Sequence, residues 1–187
     1  GLGNVITDIN RTYRYFIVKP YSTFLMFFYS DSGGLLQLSR SSGDSILTSL
    51  NNGNSGRNPR GLVFDDSNNA YCFYEDTSGN TDLFVMDTGG TVNYGPAAFV
   101  SNGGLVAGYS TGATSIYAYA VQESGNTPTV RSGSVSASSG GSVSALHKNC
   151  FVFSDGFSYN GKTYVTLLHY SETQATYFVV QEGTVVA

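Results

Sequence analysis

Three carboxylates follow aromatic residues at the ends of apolar runs: Asp31 after Tyr29, Asp76 after Tyr74 and Asp155 after Phe153. The runs read FLMFFYSD (24–31), NAYCFYED (69–76) and KNCFVFSD (148–155). A fourth, GLVAGYST (104–111), ends on Tyr109 and carries Thr111 where the others carry the acid. If the four runs are equivalent, the acids share one end of the fold. A ring of carboxylates there would hold a cation or a cluster of sugar hydroxyls. The competing role is local, and it is the stronger one. Aspartate ahead of Ser, Thr or Gly opens a turn by accepting backbone hydrogen bonds from two residues on.

Aromatic residues supply the second candidate chemistry. Tyr117 and Tyr119 fall on one parity of the segment 115–121, and Ile116, Ala118 and Ala120 on the other. A strand there would present one aromatic face. Tyrosine suits sugar and protein contacts, because it joins a rigid apolar ring to a polar tip. The candidate binding set is therefore Tyr29, Asp31, Tyr74, Asp76, Tyr109, Tyr117, Tyr119 and Asp155. Packing between repeats is the alternative use of the same tyrosines.

No catalytic signature stands beside these residues. Glycoside hydrolysis needs two facing carboxylates roughly 5–10 Å apart. The pairs Asp65/Asp66 and Glu75/Asp76 are adjacent in sequence, so on a strand their side chains point to opposite faces. Of the sialidase-type Asp-box only SDG (154–156) is present, and the chain has no Trp. His147 and His169 lack metal-spaced partners, and neither HExxH nor CxxC occurs. The expectation is a non-enzymatic protein without metal or cofactor. Cys72 lies two residues before Tyr74 and Cys150 three before Phe153, which predicts two buried free thiols on opposite faces of equivalent strands.

Composition narrows the partners. Nine basic and 13 acidic residues give a net charge of −4, and the basic residues are scattered. Polyanion binding needs clustered Lys and Arg, so no nucleic-acid partner is expected. No apolar run approaches the ~20 residues of a membrane-spanning helix, so membrane insertion is not expected either. The chain begins at Gly1 without a secretory leader pattern, as a processed product or a piece of a longer protein would.

The elements that must position these residues are short strands. The anchors Tyr29, Tyr74, Tyr109 and Phe153 are spaced 45, 35 and 44 residues apart. Recurrence near 40 residues marks a unit that buries its faces against copies of itself. Strands are predicted at 13–19 (ended by Pro20), 23–29, 35–39, 45–50, 61–64, 69–74, 82–86, 91–94, 105–109, 115–121, 127–135, 142–147, 150–153, 162–170 and 176–181. NNGNSGRNPR (51–60) reads as a loop and SASSGG (136–141) as a link. Residues 24–29 and 71–74 are apolar on both parities, which implies strands buried on both faces. The expected fold is all-β: a β-propeller or propeller-like array of four antiparallel hairpin-based repeats. The alternative is a β-sandwich or jelly roll. Residues 1–12 form a lead-in. Residues 13–187 form one domain with repeats near 13–60, 61–103, 104–141 and 142–187.

The repeat texture shows in YSDSGG (29–34), YEDTSGNTDLFVMDTGGTV (74–92), YSTGATSIYAYAVQESGNTPTV (109–130), GGSVSAL (140–146) and FSDGFSYNGKTYVTLLHY (153–170). It resembles the propeller-like repeats of phage tail fibres and other virion attachment proteins. The likeness covers most of 13–187 and departs at Gly108 and Thr111. It implies a structural or host-attachment role at a virion surface or outside the cell. The implied partners are other virion proteins, copies of itself, or a host-surface glycan or protein. A secreted carbohydrate-binding propeller lectin is the alternative function, and a propeller glycoside hydrolase a lesser one.

Overall fold

A computed structural model describes residues 16–21, 24–30, 35–42, 45–55, 58–87, 89–125, 127–152, 154–170, 175–181 and 184–185 of the 187-residue chain. These residues are all-β, with no helix among them. Phe16–Tyr21 (β1), Phe24–Ser30 (β2), Leu35–Ser42 (β3) and Ser45–Ser55 (β4) form the first sheet in that order. Pro59–Phe64 (β5), Ala70–Glu75 (β6), Thr81–Met86 (β7) and Val92–Val100 (β8) form the second. In the third, Gly103–Gly112 (β9), Ser115–Ser124 (β10) and Thr127–Ser136 (β11) are followed by Gly140–Gly141 (β12) and Ser144–Lys148 (β13), both paired with β11. In the fourth, Cys150–Val152 (β14) and Phe157–Tyr159 (β15) both pair with Lys162–Tyr170 (β16). Ala175–Gln181 (β17) and Thr184–Val185 (β18) complete that sheet, and every pairing is antiparallel.

Successive sheets stack face to face, and strand alternation decides which residue meets which neighbour. In β6, Ala70, Cys72 and Tyr74 join Met26, Phe28, Leu36 and Leu38 of the first sheet. The intervening Tyr71 and Phe73 join Val106, Ile116, Ala118 and Ala120 of the third. In β10 the same split sends Tyr119 and Val121 toward Cys150, Val152, Val165 and Leu167 of the fourth. The second and third sheets are thus buried on both faces, as the unbroken apolar runs require. Burial of each large side chain such as Phe28, Tyr71 or Phe84 stabilises the stack by roughly 2 kcal/mol.

The phase of the anchors and the boundary between the third and fourth repeats need correction. The runs at 24–31 and 69–76 are second strands of their sheets, whereas those at 104–111 and 148–155 fall on first strands. Tyr109 therefore sits one strand earlier than Tyr74, which produced the short interval of 35. Second strands begin at intervals of 46, 45 and 47 residues, so the true repeat is longer and more even. The segment 142–147, assigned above to the fourth repeat, contributes β13 to the third sheet. Pro20 does not end β1, which continues to Tyr21. As an edge strand, β1 has no second partner to which the missing N–H would donate. The polar stretch 51–60 is mostly strand, since β4 runs to Ser55 and β5 starts at Pro59. Residues 51–55 pair with β3 at the outer edge of the first sheet, and 59–60 open the first strand of the second. β8 runs to Val100, well beyond the predicted 91–94. The lead-in 1–12 and residues 13–15 lie outside the described residues.

Both cysteines are free and buried. They do not face opposite ways: each points at the preceding sheet, Cys72 at the first and Cys150 at the third. The parity argument failed because β6 and β14 are not equivalent strands. Burial pushes both thiols up from their ordinary pKa. Neither should react with a water-soluble disulfide reagent until the chain unfolds. Thiol titration with and without denaturant checks this, and rapid labelling of the native protein would contradict it.

Candidate functional site

The first strands of all four sheets meet around a cavity of about 210 Å³. Ile17 of β1, Arg60, Gly61 and Leu62 of β5, Leu105–Ala107 of β9 and Val152 beyond them line it, with Ser154 and Asp155. Strands alternate in direction, so the starts of first strands, the ends of second strands and the links between sheets share one end, the near end. The ends of first strands mark the far end.

Arg60 stands at the near end, and its position follows from pairing. Pro59 lies opposite Tyr74 across the β5–β6 ladder, which brings the adjacent Arg60 and Glu75 together. A guanidinium Nη2 sits 2.9 Å from a Glu75 carboxylate oxygen, and the Asn58 amide donates to the same oxygen at 2.6 Å. The Glu75 N–H in turn donates to the Asn58 carbonyl at 2.8 Å. The Arg60 Nε is buried without a hydrogen-bond partner, although a quarter of the side chain remains exposed. Arg60 also lines two further depressions. One, about 380 Å³, is bounded by Gly79, Asn102, Gly103, Glu123 and Gly125. The other, about 210 Å³, is bounded by Gly104, Leu105, Val121, Glu123, Phe151 and Val152. Leu105 is 55% exposed and Phe151 37%, so this mouth pairs a polar cluster with an apolar shelf.

At the far end Asp155 meets Lys19 at 3.2 Å. Beyond it, Phe157 stacks on Tyr164 with ring centroids 5.6 Å apart, and Tyr159 is 65% exposed.

The candidate acids do not form a ring. Asp31 and Phe153 lie outside the described residues. Asp76 is at the near end and Asp155 at the far end, because their strands run in opposite directions. Asp76 builds a turn: it accepts from the Ser78 and Asn80 N–H groups at 2.7 and 2.8 Å and from the Asn80 amide at 3.0 Å. Slight burial opposes ionisation there, but these bonds outweigh it and hold the carboxyl below its ordinary pKa. The adjacent Asp82 behaves the other way. Desolvation raises its pKa, the Asp76 charge adds to the rise, and a bond from the Tyr74 hydroxyl offsets part of it.

The candidate tyrosines form packing, not a binding face. Tyr29 is buried and hydrogen-bonds Ser39 at 3.1 Å, and Tyr74 is buried between the first two sheets. Tyr109, Tyr117 and Tyr119 do come together, with centroids 5.4–6.2 Å apart. Tyr119 is fully buried and Tyr109 nearly so, against the fourth sheet. Tyr117 alone is half-exposed, and its hydroxyl reaches Ser132 at 3.3 Å. The face they share is real, but another sheet covers it.

Sequence reading missed Arg60 because its partner is fifteen positions away and meets it only across a hairpin. It also missed a regular device. Asp65, Asp76 and Asp87 recur every eleven residues and open three identical five-residue turns. In each, the carboxylate accepts from the N–H groups two and four residues on. The fourth residue of each turn, Asn68, Gly79 or Gly90, has φ of 74°, 87° or 99°.

No family model matches the chain, and no curated protein matches it. It is similar in fold to a solved structure of AofleA from Arthrobotrys oligospora, a variant with three arginines replaced by alanine. The TM-score is 0.56 and the identity 12%, over 92% of this chain and 54% of that one. The chain therefore spans about half the length of that protein.

Proposed function

We propose that the chain is a non-enzymatic attachment module of propeller-like build, carried on a virion surface and directed at a glycan of the host cell. One observation carries the binding reading. The carboxylates of Asp65, Asp76 and Asp87 are spent on their own turns, while the central mouth offers a guanidinium, the Asn102 amide, the Glu123 carboxylate and an apolar shelf. Those are contacts for recognising a ligand. Hydrolysis would need a facing carboxylate pair. Asp65, Asp76 and Asp87 are committed to turns, and at the mouth Glu75 is tied to Arg60 and Asn58, which leaves Glu123 without a free carboxylate opposite it among the lining residues. The propeller reading is supported by four stacked sheets of four or five strands whose first strands share one cavity. The virion setting is supported by the repeat texture.

The multivalent lectin is the second reading, and the mouth itself weighs against it. Such a lectin would repeat its pocket in every sheet. Arg60 has no arginine counterpart in β1, β9 or β14.

The test uses fluorescently labelled chain and a panel of bacterial strains. Saturable adsorption to some strains, abolished by periodate oxidation of surface glycans, is the expected result. Adsorption to none, adsorption indifferent to periodate, or release of sugar from the cells would each defeat the proposal.

A further inference from the structure

We infer that the near-end cleft around Arg60 is a subsite for one neutral, polyhydroxylated sugar residue; this rests on the glycan reading above. The cleft's volume of about 380 Å³ lies within the usual range for small-molecule sites, roughly 300–1,000 Å³. Its polar groups are of both kinds. Arg60 and the Asn102 side-chain NH2 are donors and the Glu123 carboxylate and the Asn102 side-chain oxygen acceptors, the Asn102 backbone being bonded already to Asn80 and Glu123. Sugar hydroxyls need donors and acceptors side by side, since each gives one hydrogen and takes others. The neighbouring depression, sharing Arg60 and Glu123, adds Leu105 and Phe151. An apolar shelf beside a polar rim fits a pyranose, whose C–H face and hydroxyl edge lie at right angles.

Charge decides against an acidic sugar. The guanidinium is already paired with Glu75, and Glu123 adds a second carboxylate, so the mouth carries a net negative charge. A carboxylated ligand would meet repulsion there, while a neutral one would not. A ligand in the cleft would meet the exposed quarter of the Arg60 side chain, whose Nε is buried behind it. Buried polar groups are rarely left without partners, and an unpaired Arg60 Nε marks a fork held short of its full set of bonds. Arg60 lines all three depressions, so a sugar there would touch a group that also borders the central cavity.

The experiment is an amide NMR titration of the whole chain with methyl hexosides and, separately, a methyl uronide. Expected are shifts at Gly79, Asn102, Gly103 and Gly125 with at least one neutral hexoside, and weaker binding of the uronide. Arg60→Lys keeps the charge but loses the planar fork, and should weaken binding at least about tenfold. Phe151→Ala, at an exposed position, should weaken it several-fold and provides a second variant if changes at Arg60 disturb folding. Tyr159→Ala, at the far end, should leave binding unchanged. Tighter uronide binding, shifts centred on 157–159, or full binding by both Arg60→Lys and Phe151→Ala would overturn the assignment. If cells retain the chain but no neutral sugar shifts the cleft, this inference fails while the attachment reading stands.

Discussion

Asp65→Ala should destabilise the chain by about 3 kcal/mol, far more than the same change at the two equivalent turns. Asp65 is only 4% exposed. Its carboxylate accepts from the Ser67 and Asn69 N–H groups at 3.0 and 2.9 Å. It also accepts from the Asn69 amide at 2.8 Å and the Tyr71 hydroxyl at 3.1 Å. Asn69 and Tyr71 are themselves buried, so removing the carboxylate strands donors that water cannot reach. Each buried donor left alone costs about 1–3 kcal/mol. Asp76 and Asp87 make the same backbone bonds at exposed turns, where water replaces the lost acceptor. Their alanine variants should each lose about 1 kcal/mol or less. Urea unfolding of the three variants side by side separates turn geometry from burial. Equal losses at all three positions would mean that burial and the Tyr71 bond add nothing.

These three turns also show what was legible in the sequence. Aspartate as a turn former was readable at each position, because the bond it makes is local. That only one of them is anchored in the core was not, since Tyr71 is placed by sheet stacking. The same division holds for the fold. Residues 26–29 and 71–74 announce strands buried on both faces, because alternation cannot put apolar residues on both parities otherwise. The phase of the repeat was harder to read. First and second strands are both apolar, and both give way to polar residues at a turn, so Tyr109 in β9 mimicked Tyr74 in β6. Hairpins keep better time: β3, β7, β11 and β17 begin at intervals of 46, 46 and 48 residues. At the candidate site, exposed aromatic residues were expected on β10. The structure buries Tyr119 there, while Arg60, read as part of a loop, sits at the mouth. A residue's parity names its face, but which sheet covers that face is a tertiary fact.

Gly61→Val should prevent folding at ordinary temperature, and Gly61→Ala should cost about 3 kcal/mol. Gly61 lies in β5 where it passes β9 beside the central cavity. A Cβ added there would fall 2.4 Å from the Val106 carbonyl oxygen and 3.0 Å from the Val106 Cβ. Those neighbours are backbone and the root of a buried side chain, so neither can swing away. Relief requires moving β9 bodily, and β9 carries Val106 into the core between the second and third sheets. Gly79 is the instructive contrast. It adopts φ of 87°, yet an added Cβ would meet nothing within 4 Å. Asn68 holds the equivalent turn position at φ of 74°, so Gly79→Asn should cost about 1 kcal/mol or less. Thermal unfolding of Gly61→Ala and Gly79→Asn tests the distinction between lack of space and lack of conformational freedom. Similar melting temperatures for the two would show that β5 and β9 can separate without penalty. A further consequence ties this glycine to function. Arg60 precedes it on the same strand, so a Gly61→Ala chain that still folds must shift the guanidinium relative to Leu105 and Phe151. It should then bind sugar more weakly than the unaltered chain despite an intact Arg60. The near approach of two first strands thus sets the width of the mouth as well as the stability of the stack.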